Sequence, residues 1–210
     1  LGNELVNCNL NCSGISNNIQ NGILPRCLYL ETNNRYETNG CVVVGINPGR
    51  GSNFERDYYL NNGTSYQTIL NFWNQHGRNH LYYRYLTDFV NLAGYRGPIL
   101  WTELAKCESN TNTAIPPLQT FRTCTNNFLR RELESVPNDW PLIAIGRETY
   151  SAISYLYPTK SVLGLPHPTS SRGFFNRLFS NNSRQEFVVQ IQNELNNFQN
   201  NNGLTIWLSI

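Results

Sequence analysis

The sequence predicts an α/β protein with a three-layer α/β/α arrangement around a central, mainly parallel four-stranded sheet. Four short apolar runs, each closed by a turn residue or a proline, are typical of buried parallel strands. Segments with helical spacing of apolar residues separate these runs, as the crossover connections of a parallel sheet require. The length of 210 residues suits one domain that spans residues 1–210.

The predicted elements follow one another in a regular order. Residues 1–40 are rich in Asn and Ser, and they predict an irregular lead-in with one short strand at residues 27–30. The four sheet strands are expected at residues 41–44, 98–101, 141–145 and 161–165. Helices are expected around residues 66–73, 82–90, 118–133 and 148–156, and a last helix after the capping box at 183–186.

Composition and charge limit the class of protein. A hydrophobic content of 40% and an aromatic content of 12% indicate a packed globular chain. No apolar run is long enough to span a bilayer and no signal-peptide pattern opens the chain, so we expect no membrane partner and a cytoplasmic location. The net charge of +2 does not by itself indicate nucleic acid, although nearly all the cations are Arg, which suits planar contacts with phosphates and bases.

Reactive side chains follow three of the predicted strands. Asn47 follows the first sheet strand, Glu103 the second and His167 the fourth. Ligands of parallel α/β sheets bind at the carboxyl ends of the strands. The sequence therefore predicts a binding site at which these three residues meet.

Two segments around these residues have distinctive chemistry. The Gly-Ile-Asn-Pro-Gly segment at residues 45–49 allows close backbone approach to a ligand, although an ordinary strand-to-loop turn has the same composition. His167 lies between Pro166 and Pro168, so its imidazole is held on a rigid loop. Such an imidazole can donate a hydrogen bond to developing negative charge, and the alternative is a surface histidine in a proline-rich turn.

These two segments resemble the two motifs of the uracil-DNA glycosylase superfamily. Residues 45–49 match the first motif of the mismatch-specific and thymine-DNA glycosylase branch, and His-Pro-Thr-Ser-Ser at residues 167–171 resembles the second, His-Pro-Ser-like motif. The resemblance runs from about Cys41 to about Leu178. It implies a monofunctional DNA glycosylase of base-excision repair, which flips a damaged or deaminated base out of DNA and hydrolyses its N-glycosidic bond.

The resemblance also implies a role for each motif residue. Asn47 positions the water that attacks the sugar C1′ atom, and His167 stabilises negative charge on the pyrimidine O2 atom as the base departs. The remaining residues of the first motif form the floor of the base pocket: Gly45, Ile46, Pro48 and Gly49.

Further residues resemble positions that contact the base or the DNA. Tyr66 corresponds to the aromatic residue that stacks on the flipped base, and it also fits the apolar stripe of a helix. Arg172 is placed to fill the gap left in the duplex, with Ser170 and Ser171 as further DNA contacts. A solvated loop arginine is the alternative for Arg172.

Glu103 departs from the family pattern. Residues 102–107 resemble the Thr-Asn-x-x-Lys-Cys segment of the thermostable, iron–sulfur branch, in which the Asn reads the Watson–Crick edge of uracil. An ionised Glu103 would repel O4 of uracil and would suit an exocyclic amine, as on cytosine, whereas uracil would need a protonated Glu103. The alternative is that Glu103 binds an arginine or a helix N-terminus and never meets a base.

The cysteines resemble the ligands of the same branch. Sixteen residues separate Cys107 from Cys124, close to the spacing of its last two cluster ligands. Cys8 and Cys12 stand for the first pair with one extra residue between them, and Cys27 is a further candidate. The resemblance implies a structural [4Fe-4S] cluster on four thiolates, with Cys8, Cys12, Cys107 and Cys124 as the expected set. Zinc on the same ligands and plain buried thiols are the alternatives.

Two other functions remain open at this point. A non-catalytic module of the same fold would bind a base or nucleic acid without cleavage, and Glu103 and the weak net charge favour it. A generic α/β nucleotide-binding domain is the more distant alternative. It is disfavoured because the sequence has no Gly-rich phosphate loop with a lysine.

Overall fold

The computed structural model describes residues 1–32, 37–111, 115–169, 173–179 and 185–208. The strands in this part of the chain are β1 (Ile15–Ser16), β2 (Leu28–Glu31), β3 (Cys41–Gly45), β4 (Ile99–Glu103), β5 (Glu108–Ser109), β6 (Leu142–Ile145), β7 (Val162–Leu165) and β8 (Thr205–Trp207). The helices are α1 (Gly2–Val6), α2 (Asn53–Asn62), α3 (Tyr66–Gln75), α4 (Leu81–Leu92), α5 (Leu118–Cys124), α6 (Arg130–Glu134), α7 (Arg147–Leu156), α8 (Phe174–Phe179) and α9 (Gln185–Asn200). The α/β class is confirmed.

The central sheet of the described residues has six strands in the order β2-β4-β3-β6-β7-β8. Neighbouring strands from β3 through β6 and β7 to β8 are parallel. The prediction of four strands is wrong, because β2 and β8 extend the two edges. β2 had been assigned to the lead-in, and β8 is only three residues long with half-buried side chains, so it produces no apolar run.

The chain divides into two compact units, which are described separately. The first unit comprises residues 1–30, 45–78 and 100–138, and the second comprises residues 31–44, 79–99 and 139–210. One domain over residues 1–210 remains a prediction. The strand expected within the lead-in is present as β2, and the lead-in also contains α1 and β1, which were not predicted.

Local sequence explains the helices of the first unit. The side chain of Ser52 caps α2 by accepting a hydrogen bond from the Glu55 N–H at 3.1 Å, and Ser65 caps α3 through the Thr68 N–H at 3.1 Å. Such caps satisfy backbone donors that the first helical turn leaves unpaired. The helix predicted around residues 118–133 is present as α5 and α6, joined by a π-helical turn at Thr125–Leu129.

The core of the second unit lies along its parallel strands. Val42, Ile143 and Leu163 lie on β3, β6 and β7 and are completely buried. Strands that are buried on both faces need continuous apolar runs, which is why the sequence predicted them to within two residues. In the described part of the chain, no helix is both long and apolar enough to cross a membrane.

Candidate functional site

The turn after β3 stays in register with the segment that leaves β4. Leu104 donates its N–H to the carbonyl of Gly45 at 2.9 Å, and Ala105 donates to the carbonyl of Ile46 at 3.0 Å. These bonds continue the pairing of β3 and β4 beyond the ends of the strands. As a result, Asn47 lies beside the main chain that follows Ala105.

The side-chain amide of Asn47 makes its hydrogen bonds through its nitrogen, Nδ2. Nδ2 lies 3.0 Å from Oγ of Ser109, 3.1 Å from the Pro48 carbonyl and 3.4 Å from the Cys107 carbonyl. Within the described residues, Oδ1 accepts no hydrogen bond and is not fully buried. An amide oxygen is an acceptor only, so the half-buried Asn47 presents an unused acceptor at the end of β3.

Arg26 supports the turn that carries Asn47. Its side chain is 6% exposed, its Nη2 donates to the Gly49 carbonyl, and its Nε lies 3.1 Å from Oε1 of Glu55. Burial by itself lowers the pKa of Arg26, but the neighbouring Glu55 carboxylate raises it and the net shift is upward. The guanidinium therefore stays charged while it holds the motif carbonyl.

Glu108 completes this buried ionic network from the other side. It is 2% exposed, and its Oε2 accepts from the Gly51 N–H at 2.7 Å and lies 3.4 Å from Nη2 of Arg26. Its Oε1 accepts from Nη2 of Arg56 at 2.7 Å. Sequence reasoning missed Arg26 and Glu108, because the residues that they join are far apart in the chain and match no motif.

Glu103 lies against the first residue of the motif. A β-carbon added at Gly45 would clash with Oε2 of Glu103 and would lie 2.8 Å from Oε1, so any side chain at position 45 requires this carboxyl to shift. Glu103 is 6% exposed, and its Oε2 is buried without a hydrogen-bond partner in the described part of the chain. Burial raises the pKa of Glu103 to about 8, against the lowering effect of Lys106 and Arg26.

Lys106 is bound elsewhere. Its ammonium lies 2.7 Å from Oε2 of Glu132 and also donates to the hydroxyl of Thr102, which contacts the same carboxylate oxygen. Lys106 is 1% exposed and Glu132 is fully buried. Lys106 therefore forms its ion pair with Glu132 rather than with Glu103, and the other oxygen of Glu132, Oε1, is buried without a hydrogen-bond partner in the described part of the chain.

His167 belongs to the second unit. Its Nδ1 accepts from the Thr169 N–H at 3.4 Å and lies 3.1 Å from the Thr169 hydroxyl, and its ring centroid is 5.2 Å from that of Tyr82. Burial lowers the pKa of His167, which favours the neutral ring. Because Nδ1 is the acceptor, the proton lies on Nε2, which is then a donor.

Tyr66 packs inside the first unit. Its hydroxyl donates to the Leu28 carbonyl at 2.6 Å, and a β-carbon at Gly2 would clash with its ring. Burial raises the pKa of Tyr66 to about 12, so the phenol is neutral. These contacts fit the interpretation as a helix residue turned towards the core, and stacking on a base remains a prediction.

The four predicted cluster cysteines all lie in the first unit. Burial raises the pKa of the Cys107 thiol, and charge on Cys124, Cys8 and Cys12 raises it further. Among the described residues, no group of three or more His, Cys, Asp or Glu side chains is arranged to hold a metal ion.

The structure brings together part of the predicted site. Asn47, Glu103 and the rest of residues 45–49 lie in the first unit, whereas His167 lies in the second. Ser170, Ser171 and Arg172, predicted to contact DNA, lie outside the described residues. No protein-family model matches the chain, and a search of curated proteins finds no match.

Proposed function

We propose that this protein is a monofunctional DNA glycosylase, which binds a flipped, damaged or deaminated base and hydrolyses its N-glycosidic bond. The single observation that carries the proposal is the amide of Asn47, held through Nδ2 with Oδ1 unused. An amide is too weak a base to remove a proton, but its oxygen can accept a hydrogen bond from water. Asn47 then acts by orienting the attacking water towards C1′. It lowers the barrier by positioning the water and not by transferring a proton.

His167 supplies the second part of the proposed reaction. When the glycosidic bond breaks, negative charge collects on the departing base. A neutral imidazole with its proton on Nε2 already carries an N–H at that nitrogen, so it can donate a hydrogen bond to that charge without first gaining a proton. The hydrogen bond at Nδ1 and the lowered pKa of His167 support this role. In this proposal the partner is single- or double-stranded DNA, and the protein works in base-excision repair in the cytoplasm.

The same proposal includes a structural [4Fe-4S] cluster held by Cys8, Cys12, Cys107 and Cys124. The four cysteines lie in the same unit of the chain, and charge on Cys124, Cys8 and Cys12 raises the pKa of Cys107, which supports this assignment. The bound cluster would supply a cross-link between distant parts of the chain. It would also fix the main chain of Cys107, whose carbonyl contacts Asn47.

The test is a glycosylase assay on oligonucleotides that carry uracil, hypoxanthine or a mismatched thymine, in single and double strands. We expect at least one of them to give an alkali-labile abasic site. Asn47→Ala and His167→Ala should each slow cleavage by about 10²–10³-fold, because each side chain acts in the transition state. Asn71→Ala and His76→Ala make the same changes at exposed positions and should retain the wild-type rate.

A non-catalytic module that binds a base or nucleic acid is the second candidate. It is favoured by Glu103, which stands where the resembling branch has an Asn, and by the net charge of only +2. DNA binding that weakens with salt and gives no abasic product on any lesion would support this candidate. Absence of both binding and cleavage would contradict both candidates.

A further inference from the structure

Asparagine followed by glycine occurs repeatedly in this chain, and the structure treats these pairs differently. They lie at residues 21–22, 39–40, 62–63 and 202–203. Asparagine is a thermolabile residue, and a following glycine favours its loss because glycine has no side chain to obstruct attack by its main-chain nitrogen on the amide. The attack requires a glycine nitrogen that is free of hydrogen bonds and an asparagine that solvent reaches.

The first two pairs are protected. The N–H of Gly22 donates to the Ile19 carbonyl at 3.0 Å, and the N–H of Gly40 donates to the Thr38 carbonyl at 2.9 Å. Both glycines are also buried. A hydrogen-bonded amide must open locally before its nitrogen can react, so these pairs should react slowly in the folded protein.

The other two pairs are exposed, and a single hydrogen bond separates them. The N–H of Gly203 donates to Oγ of Ser161 at 2.8 Å. Gly63 follows the last residue of α2 with φ 91° and ψ 159°, which turns the chain out of the helix. Within the described residues, the N–H of Gly63 donates to no acceptor. A β-carbon added there would come no closer than 4.0 Å to Oγ1 of Thr68, so the surroundings of Gly63 are open.

We infer that Asn62 is a site of spontaneous deamidation. The main-chain nitrogen of Gly63 attacks Cγ of Asn62, the bond from Cγ to Nδ2 breaks, and the proton of the attacking N–H leaves with Nδ2 as ammonia. The product is a cyclic imide, which water opens at either carbonyl to give aspartate or isoaspartate. Water is the only co-reactant, and nothing is oxidised or reduced.

The modification changes the end of α2. Nδ2 of Asn62 donates to the Tyr58 carbonyl at 2.8 Å, and a carboxylate cannot replace this donor. The new negative charge also lies at the C-terminal end of the helix, where the macrodipole disfavours it. In isoaspartate the main chain runs through the side-chain carbons, so the Asn62 carbonyl that accepts from the Thr68 hydroxyl at 3.3 Å leaves the main chain. The link between α2 and α3 should therefore loosen.

The test compares the asparagines within one sample of the whole folded chain. The protein is kept in mildly alkaline buffer below its melting temperature, digested at acidic pH, and analysed by mass spectrometry for conversion of each amide to a carboxylate. We expect Asn62 to react at least about fivefold faster than Asn202, because the hydrogen bond at Gly203 must open first. In urea-unfolded protein the four pairs lack these bonds and should react at similar rates.

Two substitutions test the cause. Ser161→Ala removes the acceptor of the Gly203 N–H, so conversion of Asn202 should become about fivefold faster while conversion of Asn62 stays unchanged. The rate at Asn62 thus reports whether this variant remains folded. Asn62→Gln moves the amide one methylene farther from the glycine nitrogen, and it should abolish isoaspartate at this position.

The decisive comparison is that of the two exposed pairs in the folded wild type. Conversion of Asn62 that is no faster than conversion of Asn202 would overturn the inference. An unchanged rate at Asn202 in Ser161→Ala would also count against it, because the hydrogen bond would then not be what protects an Asn-Gly pair. These measurements need neither DNA nor catalysis, so their result is independent of the proposed function.

Discussion

At the scale of single residues, the two glycines of the 45–49 segment have different reasons to be glycine. Gly45 lies against the Glu103 carboxyl, whereas a β-carbon at Gly49 would meet no atom within 4 Å. Neither residue has a positive φ. The close approach of the Glu103 carboxyl therefore explains why residue 45 is a glycine. Packing gives no reason for a glycine at position 49.

This contrast gives a matched pair of substitutions. Gly45→Ala should lower the free energy of unfolding by about 1–3 kcal/mol, because the added methyl group forces the buried Glu103 carboxyl to shift. Gly49→Ala introduces the same methyl group into open space and should change stability by less than about 0.5 kcal/mol. Urea denaturation of both variants measures the difference.

A double substitution tests the cause of the effect. If the clash with the carboxyl is the reason, Glu103→Ala should remove most of the penalty of Gly45→Ala, because the two residues are in contact and their effects are not additive. The explanation would be wrong if Gly45→Ala and Gly49→Ala were equally stable, or if the penalty persisted in the Glu103→Ala background.

At the scale of elements, the sequence predicted the central strands well and the peripheral elements poorly. β3, β4, β6 and β7 are buried throughout, so their apolar runs mark them out. By contrast, Tyr59 is the only buried residue of α2, and so α2 shows almost no amphipathic pattern and was not predicted. Elements whose position is set by tertiary contacts leave little periodic signal in the sequence.

The ionic network around Glu108 positions the turn between β3 and α2. Glu108→Gln keeps the shape of the side chain but removes the charge that Arg26 and Arg56 contact. Because the site is buried, the free energy of unfolding should fall by about 3 kcal/mol. Hydrogen exchange of the Gly51 amide, which donates to Glu108, should become faster by a larger factor than exchange in the strands.

The control for this change is an exposed carboxylate in a similar pair. Glu134 accepts from Arg130 at 3.0 Å, with side chains that are 60% and 71% exposed. Glu134→Gln should therefore change the free energy of unfolding by less than about 1 kcal/mol and should leave the Gly51 amide protected. Equal effects of the two substitutions would show that the network does not hold this turn.

At the scale of the whole molecule, the general rule about strand ends identified Asn47 and Glu103, and the structure places them on the adjacent strand ends of β3 and β4. The sequence could not predict the protonation of Glu103, because burial and the pairing of Lys106 with Glu132 decide it. The hydrogen bond from Arg26 to the Gly49 carbonyl could not be predicted from the sequence either, since Arg26 lies in the segment predicted to be irregular. Such effects depend on contacts between residues far apart in the chain.

The proposed cluster would have the widest effect on the molecule, because it would join α1 and its following loop to the segments at Cys107 and Cys124. Protein purified or reconstituted without oxygen should be brown and contain about four iron atoms per chain. Removal of the iron by a chelator should lower the melting temperature, since metal binding to a preformed site adds directly to folding stability.

A matched pair of cysteine substitutions tests the assignment of the ligands. Cys124→Ser removes a proposed ligand and should lose most of the iron and the colour. Cys41→Ser makes the same change at a buried cysteine in β3, outside the four, and should retain both even if its core packing weakens. Colourless, iron-free protein after anaerobic reconstitution would contradict the cluster, and tightly bound zinc would assign a single-ion site instead. Equal iron loss in both variants would mean that the colour reports general instability rather than ligation by Cys124.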